Sequence, residues 1–137
     1  MLMATQLIYI LHVLASVLWL AETSIMLFVV LPVLKRPKQV TSLYPVLRRL
    51  VNFTGMSVGL SIPTALYLFS VSPGVDSILQ KWIAISGGVI ATLAYLITLL
   101  DVKKFRNSPD RMNLKKLSWI LSAEFTCLIV LFMIMFA

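Results

Sequence analysis

The sequence predicts an all-α membrane protein: a four-transmembrane-helix up-down bundle forming a single domain over residues 1–137. Three observations predict it. The 137 residues are 60% hydrophobic and 12% charged, with a mean hydropathy of +0.97, whereas an ordinary soluble domain carries about 25% charged residues. Four apolar runs are separated by turn residues, and a helix needs roughly 20 apolar residues to cross a hydrocarbon core about 30 Å thick. The basic residues also sort by loop in the alternating way that four crossings require.

The first run covers residues 6–34 and holds one histidine and one glutamate. No basic stretch precedes it, and it is too long for the apolar core of a signal peptide, so it reads as a retained span. Its length leaves room for tilt or a protruding turn. The second run, residues 50–71, follows the basic stretch KRPKQVTSLYPVLRR, around which Pro32, Pro37 and Pro45 fall. The third, residues 82–100, follows the turn signal Ser72-Pro73-Gly74, and the fourth, residues 117–136, follows Asn107-Ser108-Pro109-Asp110. None of the linkers is long enough for a second domain.

Eleven of the twelve bases lie in the first and third connections. Lys35, Arg36, Lys38, Arg48 and Arg49 occupy one. Lys103, Lys104, Arg106, Arg111, Lys115 and Lys116 occupy the other. The middle connection has Asp76, with Lys81 at its far edge. Four crossings place loops 35–49 and 101–116 on one side, which the positive-inside rule makes cytoplasmic. The expectation is a multi-pass protein of the cell membrane with both termini outside. The basic loops read as topology signals attracted to anionic headgroups, or as a docking surface for a soluble partner. The net charge of +7 does not suggest nucleic acid, because no basic face is interleaved with aromatic residues. A lone cysteine, Cys127, excludes a disulfide scaffold. No catalytic triad, phosphate-binding glycine loop or zinc spacing occurs.

Helices in lipid associate through small residues and buried polar groups. Gly55 and Gly59 stand four apart on the second span, followed by Ser61, Pro63 and Thr64. Gly87 and Gly88 offer a second close-approach surface on the third span. Pro63 is expected to kink its helix unless Thr64 or a neighbour satisfies the freed carbonyl.

Ionisable groups within the spans are few, and a charge at the bilayer centre costs ~3 kcal/mol on insertion scales. At 100° per residue, His12, Ser16, Trp19, Thr23 and Met26 fall on one stripe with Ala15 and Glu22 beside it, so this face is expected to point into the bundle. His12 reads as a haem or metal ligand or as a hydrogen-bonded core histidine. Glu22 reads as a partner for a hydroxyl such as Ser57, Ser61 or Ser86, or as a proton-relay or cation site. Glu124 is expected to hydrogen-bond or ion-pair with Arg48, Arg49 or Lys116. Lys81 is expected to snorkel to the outer interface beside Trp82. Cys127 and Met26, Met56, Met133 and Met135 form no clustered copper motif, and scattered methionines in a bundle usually pack.

The rhythm of the first half is more specific. His12 is followed by Trp19, then by Leu31-Pro32, a basic loop with Arg48-Arg49, a second span, and a third span opening at Lys81. In HVLASVLW, LPVL, LRRL and the placement of Lys81, the chain resembles the CopD-type four-helix membrane module of copper-resistance D domains. More distantly it is similar to the HemJ-type protoporphyrinogen oxidase. The resemblance covers most of the chain, chiefly as topology. It implies haem b or copper as cofactor, with His12 and Lys81 as the cofactor-binding pair. Apart from the resemblance, His12 and Met26 read as candidate copper ligands by side-chain chemistry. The sequence departs from the family after Trp19, where Leu20-Ala21-Glu22 replaces the usual glycines, and it has no second histidine.

These features favour an accessory subunit of a larger membrane redox or metalloenzyme complex, such as a respiratory oxidase or copper monooxygenase. That reading expects the lipid bilayer and other membrane subunits as partners and no catalytic residues in this chain. The alternatives are a haem b-binding enzyme of the protoporphyrinogen-oxidase kind, and a CopD-like copper-handling protein with His12, Glu22 and Met26 along an outward-facing path.

Overall fold

The computed structural model describes the backbone of residues 2–36, 40–71 and 78–135, with side chains except at 2, 40, 41, 69–71, 78–81, 110 and 135. Among these residues every regular element is a helix. Pro37, Lys38, the Ser72-Pro73-Gly74 turn and Asp76 lie outside the described residues.

The first apolar run forms one rod in three pieces. Helix α1 (Leu2–Ile25) passes through a π-helical segment (Met26–Val30) into the short α2 (Leu31–Leu34). Pro32 does not end the rod. A proline ring crowds the carbonyl four residues back and donates no amide. The wider π turn directly before it, in which the Leu31 amide bonds to the Met26 carbonyl, shifts the register where the ring must fit.

Helix α3 (Val40–Val71) starts well before residue 50 and takes in both Pro45 and Pro63. The amide missing at Pro63 would have bonded to the Gly59 carbonyl. Thr64 does not replace it: its hydroxyl donates to the carbonyls of Leu60 at 2.7 Å and Ser61 at 3.0 Å. Helix α4 (Ile78–Lys104) follows, then a 3-10 turn at Pro109–Arg111 where the sequence has its Asn-Ser-Pro-Asp signal, and then α5 (Leu114–Met135). Asn113 caps α5, accepting the Lys116 amide at 3.1 Å. Lys116 also pairs with Asp101 at 3.5 Å, an exposed contact worth little.

The chain makes two hairpins. The rod of α1 and α2 packs chiefly on α3, and α4 packs on α5; the hairpins meet where α1 touches α5 and, more loosely, where α3 touches α4. The buried stripes have helical spacing: Ala15, Trp19, Thr23, Met26 and Val30 on the first rod, and Leu117, Leu121, Glu124 and Leu128 on α5. The Tyr44 hydroxyl crosses from α3 to donate to the Val102 carbonyl near the end of α4, one of the carbonyls a helix C-terminus leaves without an internal donor.

Polarity is inverted relative to a water-soluble bundle. Large apolar side chains such as Leu14, Leu18, Phe28, Leu93 and Leu100 are exposed, while Thr23, Thr54, Ser57, Ser61, Thr98 and Glu124 are buried. Among the described residues three helical stretches are long and apolar enough to cross a membrane: Met3–Leu34, Trp82–Lys104 and Leu114–Ile134. Helix α3 has the length but falls short in apolarity, because Arg48, Arg49, Asn52, Thr54, Ser57, Ser61 and Thr64 are distributed along it.

Candidate functional site

The polar groups between the helices form a ladder on α1. Its deepest rung is Glu124, fully buried on α5. The carboxyl Oε1 accepts the Trp19 indole N–H at 2.7 Å and the Thr23 hydroxyl at 3.4 Å. Its other oxygen, Oε2, is buried and meets no donor among the described residues. The expected basic partners are corrected here: Arg48, Arg49 and Lys116 are exposed at the ends of the bundle, whereas Glu124 shares the inward stripe of α5 and meets α1 mid-bundle. The sequence displays Trp19 on the inward stripe but gives no sign that its indole nitrogen serves Glu124. That pairing depends on the rotation of α5 against α1.

Glu22 lies beside this rung and is half-buried. It accepts the Ser57 hydroxyl at 3.5 Å, a hydroxyl partner of the kind expected. Toward the N-terminal end of α1, the Ser16 and Ser61 hydroxyls stand 3.5 Å apart, and His12 Nδ1 lies 2.9 Å from the Thr64 hydroxyl. The only proton on that hydroxyl is directed to its own helix, to the Leu60 and Ser61 carbonyls. With the hydroxyl so directed, an Nδ1-protonated His12 would donate to it and keep its lone pair on Nε2; the other tautomer would accept from Thr64 instead.

The four candidate packing glycines divide into two kinds. A Cβ on Gly55 would stand 2.6 Å from the Tyr95 hydroxyl, and one on Gly87 would stand 3.3 Å from Leu131. Gly59 and Gly88 have nothing within 4 Å of that position. Gly55 thus admits Tyr95, whose hydroxyl donates to the Val51 carbonyl at 3.2 Å. Nothing local in the sequence marks Tyr95 for this contact except its place one turn after Ala91, on what is the buried face of α4.

The residues present do not suit a copper centre. His12 and Met26 are fourteen residues apart on one rod, about 21 Å at 1.5 Å per residue, so they cannot share an ion. Met26 is buried among apolar side chains, while Met56 and Met133 face outward. No group of three or more His, Cys, Asp or Glu side chains that could hold a metal occurs among the described residues. A haem would find one imidazole nitrogen, and His12 is engaged against α3 through Thr64. The Lys81 side chain lies outside the described residues, as does that of Met135.

Fold and polar ladder together define a class: an all-helical bundle with an apolar exterior, a polar seam inside, and three helices able to cross a membrane. No protein-family model, curated protein or solved structure matches the chain.

Proposed function

We propose that this protein is a four-span integral membrane protein that serves as an accessory subunit of a larger membrane redox or metalloenzyme complex. The fourth crossing is α3. Its polar residues Thr54, Ser57 and Ser61 are buried against the other helices, while Phe53, Met56, Leu60 and Leu66 face outward. The face of α3 presented to lipid is therefore apolar although its composition is mixed. Loops 35–49 and 101–116 then lie in the cytoplasm and both termini outside, following the distribution of bases.

The observation that carries the subunit reading is Gly59. It is exposed on α3 with open space over its missing Cβ, and Pro63 deprives its carbonyl of a helical donor. Within a bilayer, an exposed small residue whose carbonyl lacks its Pro63 donor suits the close approach of another helix. The test is native electrophoresis after mild detergent extraction. Co-migration with other membrane proteins is expected; migration as a lone 15.4 kDa protomer overturns the reading.

A second reading is a haem b-binding membrane enzyme like the HemJ-type oxidase that the sequence resembles. It is favoured by His12, whose Nδ1 is held by Thr64 at 2.9 Å, so that Nε2 would be the axial donor. Purified protein would then show a Soret band that His12→Ala abolishes. Absence of the band after haem reconstitution removes this reading.

A further inference from the structure

The loose contact between α3 and α4 opens a cleft of about 440 Å3 at the basic end of the bundle. Arg48 and Asn52 line it from α3, Leu99 and Lys103 from α4, and Arg106 from the turn that follows. Tyr44 forms part of the wall, where its hydroxyl holds the end of α4. Arg48, Lys103 and Arg106 are exposed, and among the described residues no carboxylate pairs with any of them; Asp101 is taken by Lys116. Three cations without a carboxylate partner among the described residues therefore converge on one concave site with an amide side chain beside them. They come from two separate stretches of sequence, so their convergence is a property of the fold.

The lower wall of the cleft is apolar. Leu99 lines it, and Leu96, one turn further into the α4 span, is exposed. Met56 follows Asn52 by one turn on the same face of α3 and is also exposed. A phosphate among the three bases would be continuous with two apolar helix faces running toward mid-membrane. We propose that the α3–α4 cleft is a stoichiometric binding site for one anionic phospholipid. Its phosphate is held by Arg48, Lys103 and Arg106, and its acyl chains lie along Met56 and Leu96. The guanidinium groups supply paired donors to phosphate oxygens, and basic pockets between spans on the cytoplasmic side suit such headgroups. The site rests on the membrane-spanning reading but does not depend on which complex the protein joins.

The test is native mass spectrometry of full-length protein released from bilayer nanodiscs. Nanodiscs of phosphatidylglycerol are compared with nanodiscs of phosphatidylcholine. One retained phosphatidylglycerol per protomer is expected, with phosphatidylcholine retained weakly. Near a membrane surface each base contributes a factor of about five in affinity, so Arg48→Gln/Lys103→Gln/Arg106→Gln should weaken retention about a hundred-fold. The control triple Arg49→Gln/Arg111→Gln/Lys115→Gln should retain the lipid. Arg106→Gln alone, outside the helices, should weaken retention about five-fold and guards against a triple variant that fails to fold. Equal loss in the control triple, equal retention of both lipids, or displacement by excess inorganic phosphate would each overturn the proposal, the last by assigning the cleft to a free anion. Retention is read after release from nanodiscs and is independent of orientation, so a wrong topology would show in cysteine labelling and not here.

Discussion

The Trp19 indole donates a 2.7 Å hydrogen bond to the buried Glu124 carboxyl, joining the first helix to the last across 105 residues of chain. This contact links the two hairpins at a depth where neither group has water as an alternative partner. Trp19→Phe should preserve the ring packing and lower stability by about 1–2 kcal/mol, the range of interhelical hydrogen bonds in membranes. Glu124→Leu should change less in the Trp19→Phe background than in the parent. Thermal unfolding of all four proteins in one detergent closes the cycle. Additive effects would show that the contact carries no coupling.

Gly55→Ala should destabilise, because a methyl 2.6 Å from the Tyr95 hydroxyl must displace it from the Val51 carbonyl. Overpacking of this kind costs about 1–3 kcal/mol. Tyr95→Phe removes the clashing oxygen, so the double variant should be more stable than Gly55→Ala alone. Gly88→Ala, which meets nothing, should leave the melting temperature of the isolated protein unchanged or slightly raised. The three melting temperatures check this together.

Gly59→Leu separates folding from assembly. No neighbour among the described residues occupies the space over Gly59, so the isolated protein should melt as before. If a partner helix packs there, the co-migrating bands on native electrophoresis should disappear. Retention of those bands would remove Gly59 from the interface.

Orientation is read by single cysteines. In a Cys127→Ala background, Arg36→Cys and Arg106→Cys should resist a membrane-impermeant maleimide added to intact cells and react after permeabilisation. Labelling of either from outside would invert the assigned topology and place the basic cleft at the outer surface.

The sequence by itself determined the helices and the arrangement of charge. Apolar runs of sufficient length and a basic excess at one end are local properties of the chain, and α1, α4 and α5 follow them closely. It also determined that His12, Glu22 and Glu124 would be the sparse acidic and imidazole groups within the apolar runs, since those runs hold no other Asp, Glu, Lys, Arg or His. Only the tertiary structure decided the partners. Glu124 meets Trp19 and not an arginine, Gly55 and Gly87 are filled while Gly59 and Gly88 stay open, and Arg48 converges with Lys103 and Arg106. The rod continues through Pro32 because a π turn precedes it, and α3 begins at Val40 in spite of Pro45. Hydropathy follows each helix along its own axis. Contacts depend on the rotation and register of one helix against another, and those are fixed only when the four rods pack together.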